Sequence, residues 1–453
     1  MHKLLIANRG EIACRVIASA RSLGWQTVAV HSHADAAALH VQMADQSVSL
    51  GEPPARQSYL RIDKLIEAAR TSGASAVHPG YGFLSESAQF AAAVIEAGLL
   101  WVGPSPDTIR LMGDKQSARE AALRAGVPIV PGSRRFPHGD LVGIDEAASK
   151  VGFPLLVKAS AGGGGIGMRR IDRPDQLVAQ AAMVQDAAHN TFGDGTVYLE
   201  RYLGRARHVE VQVFGFGDGA AVHLFERDCS LQRRFQKVVE ETPAPGLPAQ
   251  MLQAMYEASL RMCAETKYAG AGTVEFIVDE ENCRFYFLEM NTRIQVEHPV
   301  TEMVTGLDLV AMQLRLAAQD SGQEKVVPCR DGAAIECRLY AENPAKRFLP
   351  SPGKLDVFSF AADGEGVRVD TGYRQGDVVT PFYDPLIAKF VAHGPDRATA
   401  VARMRGTLET LQVAGIMTNR DFLLSCLSHP EFLAGKVYTR FIDDFGSELV
   451  PTS

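Results

Sequence analysis

Two alternating apolar runs around the acidic stretch DEENC constrain the fold more than any other part of the chain. The runs, TVEFIV and RFYFLEMN, predict an antiparallel hairpin centred near Asn282. In that register Glu275 lies opposite Glu289, and the two-residue period of a strand places Asn291 on the same face. Four apolar residues are predicted to point away from that face: Val274, Phe276, Leu288 and Met290.

The opposed glutamates of this hairpin indicate a cation site. Two carboxylates that face each other across a strand pair repel unless a cation lies between them. Carboxylate and amide oxygens suit Mg²⁺, which makes Glu275, Glu289 and Asn291 candidate ligands, with nucleotide phosphates completing the coordination shell. The alternative is an ordinary solvated polar face of a hairpin.

The residues after the hairpin continue its polar pattern. If the extended conformation persists past Asn291, then Arg293, Gln295 and Glu297 share its face until Pro299 ends the strand. Arg293 is a candidate anion-binding group and Glu297 a candidate base, because proton abstraction from a bound oxyacid needs a carboxylate near a cationic site. An ordinary ion pair between the two is the alternative.

A second unusual segment, KASAGGGGIGMRR, contains four consecutive glycines after Lys158. No GK[ST] follows, which excludes a P-loop, and the flanking runs predict a strand, a loop and a strand. Glycines let backbone N–H groups approach phosphate oxygens, and Lys158 supplies positive charge beside the loop. The alternative is a mobile surface turn, and Lys115 taken alone is typical of the solvated first turn of a helix.

Composition and charge restrict the class of protein. The 453 residues are 46% apolar and 22% charged, as in an ordinary soluble globular protein, and the net charge of −7 argues against a nucleic-acid binder. Seven cysteines without paired metal-ligand spacing favour reduced thiols in the cytoplasm. No secretion signal and no membrane span are expected.

The order of predicted elements gives the domain organisation. KLLIAN, the helical RGEIACRVIASARSLG and the strand QTVAVHS begin a doubly wound parallel-sheet domain of about 110 residues. The Pro- and Gly-rich GVPIVPGSRRFPHGD marks a boundary near residue 130, after which a small α+β unit ends near Leu203. Antiparallel strands follow from RHVEVQVFG onward. The predicted fold class is therefore α/β and α+β.

An ordered series of segments resembles one family over essentially the whole chain: IANRGEIACRV, HPGYGFLSE, RLMGDK, KASAGGGGIGM, RHVEVQV, ERDCSLQRR, EMNTRIQVEHPVTE, IECRLYAE and LPSPG. These segments are similar to those of the biotin carboxylases, which are ATP-grasp enzymes. The resemblance implies an N-terminal biotin carboxylase domain at 1–113, an ATP-grasp domain at 114–330 with its glycine-loop lid at about 131–203, and a C-terminal mixed β domain at 331–446.

The resemblance also implies a set of ligands for ATP and metal. The implied ATP contacts are Lys115, Lys158, Gly163, Gly164, Gly165, Met168, Glu200, Leu203, His208 and Gln232. Glu275, Glu289 and Asn291 would hold Mg²⁺, or Mn²⁺ in its place. The glycine loop would close over ATP and exclude water from a short-lived intermediate.

Bicarbonate and biotin have their own implied residues. Those for bicarbonate are Lys237, Arg293, Gln295 and the backbone of Val296, with Glu297 as the base. Carbonate would attack the γ-phosphate of ATP to give carboxyphosphate, and biotin N1′ would then be carboxylated. Tyr81 would lie near the biotin, and Arg338 would stabilise its enolate, which needs a fixed cation nearby.

The resemblance implies partners and leaves alternatives open. No MKM biotin-attachment motif occurs, so a separate biotin carboxyl carrier protein and carboxyltransferase subunits are expected, as in the acetyl-CoA carboxylase of fatty acid biosynthesis. Relatives are commonly homodimers. The alternatives are the same half-reaction serving urea or another acyl-CoA, another ATP-grasp ligase, and a regulatory subunit that has lost its chemistry.

Two positions depart from the family pattern. Ile166 stands where many relatives carry Arg or Lys, which removes a phosphate contact from the glycine loop. Phe235 replaces a residue that is commonly His or another polar group, which puts any polar role there in doubt. Ile166 and the EETPAP stretch also resemble urea-carboxylase-type members.

Overall fold

In the computed structural model, which describes residues 2–160, 167–320, 328–360 and 364–450, a parallel sheet forms the first part of the chain. Its five strands are ordered β3-β2-β1-β4-β5. The elements are β1 (Lys3–Ile6), α1 (Gly10–Ser22), β2 (Gln26–Ser32), α2 (Leu39–Met43), β3 (Gln46–Gly51), α3 (Ile62–Ser72), β4 (Ala76–His78), α4 (Ala88–Glu96), β5 (Leu100–Trp101) and α5 (Pro106–Gly113).

Alternate residues of β1 pack into two different apolar cores. Leu4 and Ile6 pack with α1, whereas Leu5 packs with α3 and α4. Both faces of the sheet are therefore covered, which is why its central strand is apolar without alternation. This arrangement confirms the predicted doubly wound parallel sheet.

A small antiparallel sheet with its own apolar core follows helix α6 (Lys115–Arg124). Its elements are α7 (Ile144–Val151), β6 (Leu155–Ala159), β7 (Met168–Ile171), α8 (Leu177–Phe192) and β8 (Val197–Arg201). The strand order is β7-β6-β8, and the core includes Phe136, Leu155 and Leu199. β6 and β7 flank the glycine run as predicted, while Gly163, Gly164, Gly165 and Ile166 lie outside the described residues.

An eight-stranded antiparallel sheet, ordered β13-β12-β9-β10-β11-β14-β21-β19 in the described residues, forms the centre of the molecule. Its earlier elements are β9 (Ala206–Phe216), β10 (Ala221–Arg233), β11 (Gln236–Thr242), α9 (Ala249–Thr266), β12 (Ala269–Asp279), β13 (Arg284–Asn291), α10 (His298–Thr305) and α11 (Leu309–Ala317).

The rest of the chain continues this sheet and covers it. The elements are β14 (Ala333–Tyr340), β15 (Glu342–Asn343), β16 (Leu349–Pro350), β17 (Gly353–Lys354), β18 (Val357–Ser359), β19 (Val367–Thr371), β20 (Val378–Val379), β21 (Leu386–Gly394), α12 (Arg397–Thr410), β22 (Gln412–Ala414), α13 (Arg420–Ser428), α14 (Pro430–Leu433) and α15 (Phe441–Leu449). Because β11 pairs with β14, residues far apart in the chain share one sheet face.

The acidic hairpin forms in the predicted register but is bulged beside its glutamates. Glu275 pairs with Glu289, and the register then shifts so that Phe276 pairs with Phe287. The extra residue, Leu288, is unpaired and 41% exposed, so it does not share the burial of Val274, Phe276 and Met290. A bulge of this kind leaves one residue unpaired and bends the strand.

The chain leaves the sheet after Asn291, earlier than predicted. β13 ends there, and residues 292–297 are irregular before α10 begins at His298 with Pro299 in its first turn. Arg293, Gln295 and Glu297 are therefore not on an extended strand. Among the described helices, none is both long and apolar enough to cross a membrane.

Candidate active site

The ammonium group of Lys237 lies among three buried carboxylates. Its Nζ atom is 2.6 Å from Glu210 Oε2, 2.9 Å from Glu275 Oε1 and 2.7 Å from Glu297 Oε1. These residues come from β11, β9, β12 and the loop after β13, so the eight-stranded sheet assembles them. The lysine side chain keeps 11% exposure, which leaves it open to a substrate.

Glu297 is held ionised by two cations. Its Oε1 bonds Lys237, and its Oε2 lies 2.8 Å from Arg338 Nη2. Burial alone would raise the pKa of this carboxyl, but Lys237, Arg338 and Arg227 together lower it well below its ordinary value. Such a group becomes an effective base only when another anion takes over part of its cation contacts.

Glu210 and Arg227 form a fully buried pair beneath Lys237. They oppose each other across β9 and β10, and Arg227 Nη2 is 2.6 Å from Glu210 Oε1. The same guanidinium donates to Gln212 Oε1, Thr301 Oγ1 and Thr273 Oγ1. The pair is thus hydrogen-bonded on several sides, as a buried charge must be.

His208 lies on the other side of Glu275 from the lysine. Its Nε2 is 2.9 Å from Glu275 Oε2, and Gln232 donates to its Nδ1 over 2.7 Å. That bond assigns the ring proton to Nε2, facing the carboxylate. Although burial lowers the pKa of His208, the charge of Glu275 raises it overall. His208 and Gln232, both implied at the ATP site, are in contact.

Glu275, Glu289 and Asn291 form the hairpin end of the site. Asn291 Nδ2 donates to Glu275 Oε1 over 2.9 Å, and Glu289 is the cross-strand neighbour of Glu275. Desolvation and the charge of Glu275 raise the pKa of Glu289, even though its side chain reaches solvent. A carboxylate that faces another without its own cation fits a divalent metal ligand.

Arg293 and Gln295 reach this group despite the end of the strand. Arg293 Nη1 donates to Gln295 Oε1 over 2.7 Å, and its Nη2 donates to Asn291 Oδ1 over 3.1 Å. Gln295 Nε2 in turn donates to Glu275 Oε1 over 3.2 Å. Glu86, on the loop before α4, pairs with Arg293 Nε over 3.1 Å. The turn after β13 therefore brings the predicted anion-binding residues to the predicted metal ligands.

Val296 and Tyr81 are tied to the site through one buried ion pair. Lys389, fully buried on β21 opposite Arg338, donates to the carbonyl oxygen of Val296 over 2.9 Å. Its Nζ is 3.1 Å from Glu11 Oε2, and the Tyr81 hydroxyl donates to Glu11 Oε1. The first strand–helix unit thus supports the peptide that precedes Glu297.

The remaining predicted ATP residues belong to the small sheet. Lys158 Nζ is 2.6 Å from Glu200 Oε1, and Arg119 Nη1 approaches the other oxygen of that carboxylate at 3.4 Å. Met168 pairs with Lys158 across β6 and β7. Leu203 follows β8, and Lys115 is the first residue of α6.

Phe235 occupies the tip of the β10–β11 hairpin. It is 64% exposed, and both it and Arg234 have positive φ, as a two-residue hairpin turn requires. Gln232 and Lys237 pair with each other on the two strands that this turn joins.

Sequence reasoning missed Glu210, Arg227 and Glu86. The alternation in RHVEVQV places Glu210 on the face of His208, so that signal could have found it. Arg227 and Glu86 carry no local signal, because each is recognised only by a partner brought close through the fold.

Comparisons with known proteins show the family to which the chain belongs. Three families match: "Biotin carboxylase, N-terminal domain" over residues 1–109, "Carbamoyl-phosphate synthase L chain, ATP binding domain" over 114–324, and "Biotin carboxylase C-terminal domain" over 336–444. The biotin carboxylase of Pseudomonas aeruginosa is 48% identical over 451 residues, which are 98% of each chain.

Two further relatives show how the match extends. The alpha subunit of the mitochondrial methylcrotonoyl-CoA carboxylase of Rattus norvegicus is 47% identical over 453 residues; the match covers 99% of this chain but 63% of the relative. The biotin carboxylase domain dimer of the Hydrogenobacter thermophilus 2-oxoglutarate carboxylase, in complex with MgADP, ADP and bicarbonate, has a TM-score of 0.91 and 41% identity, covering 100% of this chain and 99% of that one. On these matches along its whole length, the chain belongs to the biotin carboxylase family.

Proposed function

We propose that this chain uses ATP and bicarbonate to carboxylate the biotin of a separate carrier protein. The observation that carries the proposal is the position of Glu297 between Lys237 and Arg338, at 2.7 and 2.8 Å. This places a base between a cation for an oxyacid and a cation for an enolate. The family relationship supports the same reaction.

Each step of the proposed reaction uses a contact of these residues. Bicarbonate binds Lys237, Arg293, Gln295 and the backbone of Val296, and draws Lys237 away from Glu297. Glu297 then takes the bicarbonate proton, and carbonate oxygen attacks the γ-phosphorus of ATP while ADP leaves. The carbon–oxygen bond of the resulting carboxyphosphate breaks to give CO2 and phosphate. That phosphate takes the N1′ proton of biotin, and N1′ of the enolate so formed bonds the carbon of CO2 beside Arg338.

The metal and nucleotide residues have complementary roles. We propose that Glu275, Glu289 and Asn291 hold Mg²⁺ or Mn²⁺, which when bound neutralises phosphate charge. Lys158, Glu200, His208 and Gln232 contact ATP, together with Lys115, Met168, Leu203 and the glycines 163–165, in the proposed division of the chain into 1–113, 114–330 and 331–446.

The proposal extends to partners and compartment. A biotinylated carrier protein, carboxyltransferase subunits and a second copy of this chain are the proposed partners, and Tyr81 lies near the biotin. All seven cysteines are free, which supports a reducing compartment such as the cytoplasm. The proposal covers the carboxylation of biotin alone, because the relatives named above belong to carboxylases with different final acceptors.

ATP hydrolysis with Mg²⁺, with and without bicarbonate and free biotin, tests the proposal. Turnover that needs bicarbonate and rises with biotin is expected, and Glu297→Gln should lower it by about 100- to 10,000-fold, the usual contribution of a general base. Glu265→Gln is the control, because Glu265 pairs with an exposed arginine, Arg124, far from the site. Turnover indifferent to both additives would point instead to another ATP-grasp ligase.

A further inference from the structure

One buried carboxylate behind Arg338 has no part in the reaction described above. Glu240 is fully buried on β11, and its Oε1 lies 2.5 Å from Arg338 Nη2. The same nitrogen is 2.8 Å from Glu297 Oε2. A single guanidinium nitrogen therefore bridges the proposed base and a second carboxylate.

A bulge in β11 brings Glu240 to this face of the sheet. Gln232 pairs with Lys237 but Leu231 pairs with Val239, so one residue of β11 is unpaired between them. Because of that extra residue, Lys237 and Glu240 share a face although they are three positions apart. Two residues of β11 therefore reach the site: Lys237 contacts its three carboxylates, and Glu240 contacts Arg338.

The strand next to β11 carries another buried glutamate. Glu240 pairs with Glu336 on β14, and Arg338 follows two residues later on the same face. Neither oxygen of Glu336 has a hydrogen-bond partner in the described part of the chain. Burial first, and then the charge of Glu240, raise the pKa of Glu336 well above its ordinary value, which indicates a protonated side chain.

Of the two opposed glutamates, Glu240 and Glu336, it is therefore Glu240 that carries the negative charge facing Arg338. Charged and titratable groups face Glu240 from four directions: Arg338, Glu336, Cys337 and Tyr340 on β14, Glu297 after β13, Lys237 on β11 and Cys229 on β10. Lys389 on β21 lies beyond Glu336. Neither Glu240 oxygen has a donor aligned on it among the described residues, so the contact with Arg338 is a charge pair.

We propose that Glu240 is a positioning residue that holds the Arg338 guanidinium and competes with Glu297 for it. This inference rests on the proposed function. With Glu240 ionised, Arg338 stays at the biotin position when Glu297 gains a proton. Before that proton transfer, Arg338 lowers the basicity of Glu297 less, because it pairs with Glu240 as well. Without the Glu240 charge, Arg338 pairs with Glu297 alone. Arg338 is then less available to biotin, and Glu297 is a weaker base.

A pH profile separates this role from a structural one. Burial raises the pKa of Glu240 to about 7, against the opposing effect of Arg338, so its protonation falls within the working range. Wild-type biotin-dependent turnover should fall as the pH drops through about 7, since protonated Glu240 releases Arg338. Glu240→Gln, which lacks the charge at every pH, should show a flat and low profile across that range.

The experiment compares Glu240→Gln with Glu336→Gln on the whole chain, using Mg²⁺-ATP, bicarbonate and free biotin. Glu240→Gln should lower turnover by about ten- to a hundredfold, the range known for outer partners of functional groups in metal sites. Glu336→Gln replaces a protonated carboxyl by an amide and should keep both the rate and the profile of the wild type. An equal loss in both variants, or a parallel loss with an unchanged profile, would overturn the inference.

Two further arms keep the test decisive. If Glu240→Gln does not fold, Glu240→Asp keeps an ionisable carboxyl group at this position, and the inference then requires a reduced rate that still falls as the pH falls. An Asp variant without that fall, or with the full wild-type rate, overturns it. If the wild type itself shows no bicarbonate-dependent turnover, it is the proposed function that fails, because the Glu240 comparison needs that activity.

Discussion

Glu275 lies directly opposite Glu289 across β12 and β13, and in the described part of the chain only Glu275 pairs with a lysine, Lys237. Glu289→Gln should therefore have two opposite effects. Metal affinity should fall about ten- to a hundredfold, as for lost ligand contacts, while the metal-free protein keeps or gains up to about 0.5 kcal/mol because a like-charge pair is relieved. Mn²⁺ titration and urea unfolding measure the two, with the exposed Glu281→Gln as control. Unchanged Mn²⁺ binding would remove Glu289 from the site.

Thiol reactivity offers a test of the buried cysteines. Cys283 and Cys329 are exposed and the other five of the seven are buried, so Ellman's reagent should titrate two thiols in the native protein and seven in denaturant. Burial raises the pKa of Cys229 well above its ordinary value, which keeps this neighbour of Glu297 an unreactive thiol. Native labelling should leave turnover intact, and Cys283→Ser with Cys329→Ser should abolish the rapid phase.

The buried ion pair between Lys389 and Glu11 predicts a strong energetic coupling between the first helix and the C-terminal part of the sheet. Lys389→Met should destabilise the protein by about 3–5 kcal/mol, because Glu11 is left as a buried charge without its partner. Adding Glu11→Gln should restore part of the loss. A double-mutant cycle, followed by urea unfolding, measures the coupling free energy. Strictly additive losses of unfolding free energy would show that the two residues are not coupled.

The sequence predicts the parts of this site that depend on local periodicity. The two-residue period of a strand is enough to pair Glu275 with Glu289, because both lie close to one turn. The bulge at Leu288 escapes that reasoning, since one unpaired residue leaves no mark on the alternation of apolar and polar residues. The same holds for the bulge that turns Glu240 toward Arg338.

Contacts between distant segments lie beyond sequence periodicity altogether. Lys389 and Glu11 form an ion pair although they are far apart in the sequence. Arg227 contacts Glu210 only because β9 and β10 pair in one register. The sequence predicts Arg293 and Gln295 beside Asn291 on one extended strand, but β13 ends before them. Their positions depend on the irregular turn after Asn291, whose path is set by packing rather than by alternation.

Lys237 gives the prediction with the clearest pH dependence. In the wild type it lowers the pKa of Glu275 and of Glu297, each against the opposing effect of burial. Groups with lowered folded-state pKa stabilise the protein above the unfolded carboxyl pKa, about 4.3, and lose that contribution as the pH falls. Lys237→Met removes this stabilisation, so its cost should be about 3–5 kcal/mol near pH 7, where the buried carboxylates would be charged without the lysine that they share.

The cost of Lys237→Met should shrink toward pH 4 to 5, because the carboxyls that have lost the lysine take up protons there. Urea unfolding at several pH values measures the difference between variant and wild type. Lys354→Met is the matched control, since Lys354 is exposed and approaches Asp356 only at 3.9 Å. A cost that is constant with pH would mean that packing of the lysine side chain, rather than its charge, holds the three carboxylates together.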